Sequence, residues 1–455
     1  MKRGGCASRL DVKDAAMIRD LVGRCGQILC HGFSVWDVFR QSSCLVDECA
    51  NLVRFTAAWR RTSHFGNVTL WAEKMHDQVE DTHMRIGCPK EIKNHEYRVG
   101  LTPESAAELV AHGHEVVVEH GAGLGIGATD ADYVAVGAEL ADVEAVFATA
   151  DIIVKVKEPQ AVERARLRKG QTLYTYLHLA PDAPQTNDLM ASGAVCIAYE
   201  TVTSPFGGLP LLKPMSQVAG RMAAQAGAHT LEKAQGGRGV LLGGVPGVAP
   251  ANVIVIGGGV VGRNAAAMAV GMGADVTILD RSNEALESID AQFGGRVKTL
   301  YSSKTSLAQA ITTADLVIGA VLIPGAAAPK LVTREMLKTM QTGAVLVDVA
   351  IDQGGCFETS RATTHADPIY VEEGIVHYCV ANMPGAVART STYALNNATL
   401  PHLLKLADLG IKEALLTDPH LLEGLNVAHG QVTCKPVADV QGLAYLPARE
   451  AVEAL

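Results

Sequence analysis

Residues 252–264 read NVIVIGGGVVGRN, an apolar run that breaks into Gly257, Gly259 and Gly262 just ahead of the small-residue stretch AAAMAVGMGA. Glycine loses the most backbone freedom on folding and weakens any helix or strand that contains it. Three in so short a span need a compensating gain. A strand–turn–helix with G-x-G-x-x-G spacing supplies one: Gly257 permits the tight turn, Gly259 lets backbone approach a pyrophosphate, and Gly262 lets the following helix pack closely. The phosphate then sits at the helix N-terminus, where free N–H groups and the dipole favour negative charge. Eighteen residues past Gly262 the next strand, DVTILD, ends in Asp280, placed to accept hydrogen bonds from ribose hydroxyls. A carboxylate there repels a 2′-phosphate, so NAD is expected over NADP, with Arg281 the one neighbour that argues the other way.

The glycine turn belongs to a larger alternation. From Met84 the runs RIGC, EVVVEH, DIIVKV, TLYTYL and AVCIAY alternate with helical text, and NVIVIG, DVTILD, DLVIGAV, AVLVDVA and IVHYCVA repeat the pattern later. Thr102, Pro103 and Gly113 bracket one helix as cap, first residue and stop. Such alternation implies parallel strands joined by crossover helices, hence an α/β fold of two Rossmann-like, doubly wound parallel-sheet lobes with a cleft between them. A long helical stretch, MSQVAGRMAAQAGAHTLEKAQ, ends at Gly236 and Gly237 and links the lobes. The expected division is a substrate domain over 84–212, a cofactor domain over 213–388, and a C-terminal helical segment, 389–455, that completes the first.

The totals agree. A chain of 455 residues, 48% hydrophobic and 19% charged with net charge -9, is long enough for two or three cores and offers nucleic acid no basic surface. The longest uncharged stretch, Gly239 to Gly262, is broken by Pro246, Pro250 and many glycines, so no membrane span is expected. Without a secretory or transit pattern the cytoplasm is the default. All three tryptophans and five of the ten cysteines precede position 84. That shift marks residues 1–83 as an extension, and favours upstream sequence ahead of a start at Met84 over a genuine appendage. Its two C-x4-C pairs, Cys25/Cys30 and Cys44/Cys49, depart from the x2 spacing of compact zinc sites, and no metal is expected.

Four charged residues lie at or just beyond strand ends: Arg98 in KNHEYRVGLTP, Lys157 in IIVKVKEP, His178 in LYTYLHLAP and Asp352 in VLVDVAIDQGG. Open α/β sheets bind ligands beyond those ends. Chemically the four suffice for a small amino or keto acid, with Arg98 and Lys157 for a carboxylate and His178 and Asp352 for proton transfer. The bland alternatives are a hydrogen-bonded structural histidine and solvated cations. Asp348, deeper in its strand, reads as a buried structural acid.

Together, PKEIKNHEYRVGLTP, VKVKEP, LHLAP, AYETV, PMSQVAGRMAAQ, GGRGVLLGGVPGV, DLVIGAVLIPG, DVAIDQGGCFE, YCVANMPGAV and TSTYALNNATLP, with the glycine turn, resemble the alanine dehydrogenase family. That family is related to the NAD(H)-binding domain of proton-translocating transhydrogenase. The resemblance implies reversible, NAD-dependent oxidative deamination of L-alanine to pyruvate and ammonium. It assigns the substrate carboxylate to Arg98 and Lys157, acid/base work to His178, and a second catalytic role to Asp352. It also places Ser216, Asp280, Asn382 and Met383 around the cofactor. Tyr176 and Met215 are bulky enough to restrict the substrate side chain to a methyl. The resemblance further implies a homo-oligomer, specifically a hexamer. The competing readings are a transhydrogenase NAD(H)-binding subunit and a non-catalytic NAD-sensing module.

Overall fold

A computed structural model describes residues 83–321 and 328–455. The leader with its two cysteine pairs, and residues 322–327, lie outside the described residues.

Six strands open the described chain: β1 (Arg85–Cys88), β2 (Glu115–Glu119), β3 (Glu139–Ala141), β4 (Ile152–Val154), β5 (Thr172–Thr175) and β6 (Val195–Ala198). They form one parallel sheet in the order β3-β2-β1-β4-β5-β6. The next seven are β7 (Asn252–Ile256), β8 (Asp275–Asp280), β9 (Val297–Tyr301), β10 (Leu316–Gly319), β11 (Val345–Asp348), β12 (Ile369–Glu372) and β13 (Ile375–Tyr378). Their order, β9-β8-β7-β10-β11-β13-β12, repeats the first arrangement with one added edge strand. Both sheets are therefore doubly wound, each with a switch point where strand order reverses: between β1 and β4 in one, between β7 and β10 in the other.

The last strands, β14 (Leu425–Ala428) and β15 (Gln431–Val432), return to the first sheet, where β14 pairs antiparallel with β6 and β15 with β14. Strand β12 likewise runs antiparallel to β13. The doubly wound parallel sheets that were expected are present, and each carries antiparallel strands added at one edge. The C-terminal segment is also more than helical. It begins as the helix Ala388–Leu409, which packs on the first lobe as Tyr174 Oη donates to Thr399 O (3.3 Å) and the Val99 N–H donates to Thr392 Oγ1 (3.3 Å).

Apolar strands buried on both faces explain the cores. β4, β5, β6, β10 and β11 bury every residue, as a parallel sheet sandwiched by helices requires. The helix Lys213–Thr230 joins the lobes and lies close against the helix Val260–Gly271, because Gly220 faces the Val261 carbonyl where a Cβ would overlap it. Among the described residues no helix is long and apolar enough to cross a membrane.

The glycine turn carries the second lobe's geometry. Gly257 has φ 104, and a Cβ there would come within 2.7 Å of the Ala320 carbonyl oxygen just beyond β10. A Cβ on Gly262 would overlap the Gly257 carbonyl oxygen, whereas one on Gly259 would meet nothing within 4 Å. Gly262→Ala should therefore destabilise the protein by on the order of 3 kcal/mol, while Gly259→Ala should change stability by less than about 1 kcal/mol and weaken NADH binding at least about tenfold. Denaturant unfolding and fluorescence titration check both; equal loss of stability in the two variants would contradict the assignment.

Candidate active site

Residues beyond the C-terminal ends of β1, β4 and β5 meet at the first switch point. The loop after β1 carries Arg98, whose side chain is 2% exposed. A guanidinium taken from water needs partners, since unpaired burial costs several kcal/mol. Glu96 supplies them bidentately: Arg98 Nε donates to Oε1 at 2.7 Å and Nη2 to Oε2 at 2.6 Å. Arg98 Nη1 lies 3.1 Å from Met215 Sδ on the linking helix. Asn382, from the second lobe, completes the arrangement by accepting from Arg98 Nη2 at 2.8 Å and donating to Glu96 Oε2 at 2.9 Å. Burial alone would raise the Glu96 carboxyl, but Arg98 and Asn382 outweigh it and hold its pKa at about 2.

Lys157 follows β4 and is half-buried, with its ammonium 3.5 Å from Glu158. Its neighbour Lys155 is buried at 0% exposure and consumed by two carboxylates, Glu91 at 3.0 Å and Glu163 at 2.7 Å. Of the two lysines in VKVKEP, Lys157 is thus the one not enclosed between two buried carboxylates.

β5 delivers Tyr176 and His178. Tyr176 is buried, donates its hydroxyl to Leu211 O at 2.6 Å, and stacks on the His178 ring at 5.7 Å between centroids with 4° between planes. Burial pushes the Tyr176 phenol well above its ordinary range, so it stays neutral. His178 is 45% exposed on its side chain and adopts φ 49, a left-handed conformation uncommon for a residue with a Cβ. Glu200 sustains that conformation: it accepts the N–H groups of Leu177 (3.2 Å) and His178 (2.6 Å) and stands 3.7 Å from His178 Nδ1.

Asp352 lies on the other lobe, exposed on the 3-10 turn Ile351–Gln353 beyond β11. Asp348 is the buried acid at 0% exposure, accepting the N–H groups of Ala350 (3.1 Å) and Cys356 (2.8 Å) and the Ser360 hydroxyl.

At the second switch point a cleft of about 530 Å³ is lined by Lys213, Gln217, Gly258, Gly259, Arg263 and Asp280, among others. Asp280 accepts the Gly258 N–H at 2.6 Å and the Ser282 N–H at 2.8 Å, which fixes its carboxylate beside the glycine turn. Ser216 sits between Lys213 and Gln217 in the first turns of the linking helix. The open space over Gly259 and the fixed carboxylate fit a dinucleotide, with pyrophosphate over the helix N-terminus and ribose against Asp280.

Arg98 contacts Met215 and Tyr176 stacks on His178, two pairs beyond the ends of β1 and β5, with Lys157 just past β4 between them in the strand order. Asn382 reaches Arg98 rather than the cleft over the glycine turn, and the Met383 side chain, 3% exposed, packs into the second lobe's core. Sequence reasoning missed Glu96, Glu200 and Glu91. Each is a buried or half-buried carboxylate inside a quoted motif, and that location was the available signal.

Residues 87–219 match the family described as "Alanine dehydrogenase/PNT, N-terminal domain" and residues 223–435 match "Alanine dehydrogenase/PNT, C-terminal domain". An alanine dehydrogenase of Halomonas elongata is 64% identical over 366 residues, spanning 80% of this chain and 99% of that protein. A solved L-alanine dehydrogenase superposes with TM-score 0.77 at 52% identity, over 79% of this chain and 99% of that one. A transhydrogenase from Sinorhizobium meliloti gives 0.68 at 28% identity, over 76% and 99% respectively.

The Glu96–Arg98 pair carries a pH signature. A carboxyl depressed on folding stabilises the protein above its unfolded value, about 4.3, and that contribution is lost as pH falls through the folded value. The stability gap between the native protein and Glu96→Gln should be constant above about pH 5 and shrink as pH falls toward 2. Urea midpoints measured across that range test it, and a gap that instead widens on acidification would contradict the pairing.

Proposed function

The chain belongs to the alanine dehydrogenase/PNT family, and we infer from that membership and the site's chemistry that it catalyses the reversible, NAD-dependent oxidative deamination of L-alanine to pyruvate and ammonium. What supports this reading is that Arg98, Lys157 and His178 each follow a strand of the first sheet (β1, β4 and β5), while one helix puts Met215 against Arg98 and Lys213 in the glycine cleft suited to a dinucleotide. A pure binding module has no need of that trio.

A bound NAD would supply the acceptor for the hydride of the substrate Cα. The chain's residues do the rest. Arg98 and Lys157 grip the carboxylate and so restrict the substrate to one orientation of Cα. Tyr176 and Met215, both buried against the site, leave space for a methyl side chain. His178, on the exposed rim of the site, takes and returns the protons that interconvert imine, carbinolamine and keto acid, and Asp352 assists from the facing lobe. Glycine positions 257, 259 and 262, with Ser216 and Asp280, hold the dinucleotide. The family resemblance also places Asn382 and Met383 around the cofactor; Asn382 contacts Arg98, and Met383 packs in the second lobe's core.

The division of labour follows: 84–212 with 389–455 handle the substrate, and 213–388 the cofactor. The finer expectation, a homo-hexamer, rests on the family resemblance. Light scattering on purified protein should give six times the 47.9 kDa chain mass, and a monomer would refute the assembly.

Mixing protein, L-alanine and NAD at alkaline pH should generate NADH absorbance. His178→Ala should lower kcat by at least about 100-fold with NADH affinity unchanged. Absence of turnover in the native protein, with tight NADH binding retained, would transfer support to the binding-module reading.

A further inference from the structure

Three fully buried charges lie beneath the site, and the chemistry above does not use them. Glu91 follows β1, Lys155 follows β4, and Glu163 belongs to the short helix Ala161–Arg164; their side chains are 2%, 0% and 2% exposed. One ammonium between two carboxylates is an expensive arrangement, and a buried ion pair is poor evidence of stabilisation, since apolar replacements are often as stable. Such a triad needs another reason.

Geometry supplies it. Glu91 crosses the crevice between β1 and β4, where its Oε1 accepts the N–H of Val156 at 2.7 Å and of Lys157 at 3.3 Å. Its Oε2 meets Lys155 Nζ at 3.0 Å. The opposite end is anchored by Glu163, whose Oε2 accepts the Gln160 N–H at 2.7 Å. The segment that presents Lys157 is therefore held at its start by a carboxylate and at its far end by a second, with one ammonium between them. Neutralising Glu91 would remove charge-assisted strength from the bonds that fix the Lys157 backbone.

Electrostatics agree with a permanently ionised lysine. Burial works against the Lys155 ammonium, yet Glu91 and Glu163 outweigh it and hold its pKa above the ordinary range. Burial pushes the Glu91 carboxyl up, while Lys155 and the Val156 N–H pull it back. Lys155 is the largest of the influences that pull it down.

We propose that Glu91 is a positioning residue for the substrate carboxylate, acting through the backbone of Lys157, with Lys155 bridging it to Glu163 at the segment's far end. This rests on Lys157 binding the substrate. Glu91 touches neither substrate nor cofactor, so its removal should loosen the carboxylate grip and leave dinucleotide binding alone.

A double-variant cycle tests the proposal on the full chain, with KM for pyruvate, kcat and NADH affinity measured for native protein, Glu91→Gln, Lys157→Ala and the pair. Gln keeps the size of Glu but sets its amide group against the Lys155 ammonium. The expected result is a KM for pyruvate about tenfold higher in Glu91→Gln, NADH affinity unchanged, and the pair no worse than Lys157→Ala alone. Glu163→Gln, which loosens only the segment's far end and does not face the Lys157 N–H, should raise KM less than Glu91→Gln does, and an equal or larger rise would overturn the role of Glu91. A KM unchanged in Glu91→Gln, or effects that multiply in the pair, would overturn the proposal. A native protein without alanine or pyruvate turnover would instead overturn the functional reading beneath it. Should Glu91→Gln not fold, hydrogen exchange on the native protein decides: the amides of 156 and 157 should exchange as slowly as those of β4, and fast exchange overturns the idea.

Discussion

A buried guanidinium cannot be left alone, and the substrate end of this protein is organised around that fact. Arg98 sits at 2% exposure between Glu96, the Met215 sulfur and the Asn382 carboxamide. Glu96 neutralises it, and Asn382 turns its oxygen to the cation and its nitrogen to the anion. That carboxamide comes from the second lobe, so one side chain reads both halves of a salt bridge on the first. An aspartate could not do this, because its second oxygen would face Glu96. The pair therefore joins the two lobes through a single carboxamide.

The cofactor end obeys a different constraint, one of space rather than charge. Gly262 lets the helix begin directly over the Gly257 carbonyl, and Gly259 leaves the helix N-terminus uncovered. Asp280 is tied to the same turn through the Gly258 N–H. Both ends lie at topological switch points of sheets with the same strand order, so one architectural rule places two chemically unlike pockets. The linking helix Lys213–Thr230 touches both, with Met215 at Arg98 and Lys213 in the glycine cleft.

How much of this was legible in the sequence differs by kind of feature. Central strands were readable because two buried faces leave continuous apolar text: β4, β5, β10 and β11 all appear among the quoted runs. β3, β9, β12, β14 and β15 were not; all but β14 are sheet edges, and β14 is a four-residue run inside text read as helical. Edge strands such as VKTLY, whose burial alternates into exposure, carry polar residues that dilute the pattern. Residues that act singly at strand ends, such as Arg98 and His178, stood out as charge beside apolar text. Their carboxylate partners did not, since pairing across a crossover depends on which loops meet. Asn382 and Glu96 are 286 positions apart, and no spacing rule connects them. Met383 was legible as part of a motif, but its burial in the core was not.

The return of β14 to β6 has a consequence for how the protein is made. The first sheet is sequence-discontinuous: its core strands are synthesised early and its closing hairpin emerges only with residues 425–432. The intervening domain has all seven of its strands in hand before then. On the ribosome the nucleotide half can therefore reach its native state while the half that precedes it still exposes the flank of β6. That unpaired flank, Val195–Ala198, is apolar and buried in the finished fold, which makes it the segment with most to gain from a chaperone during elongation.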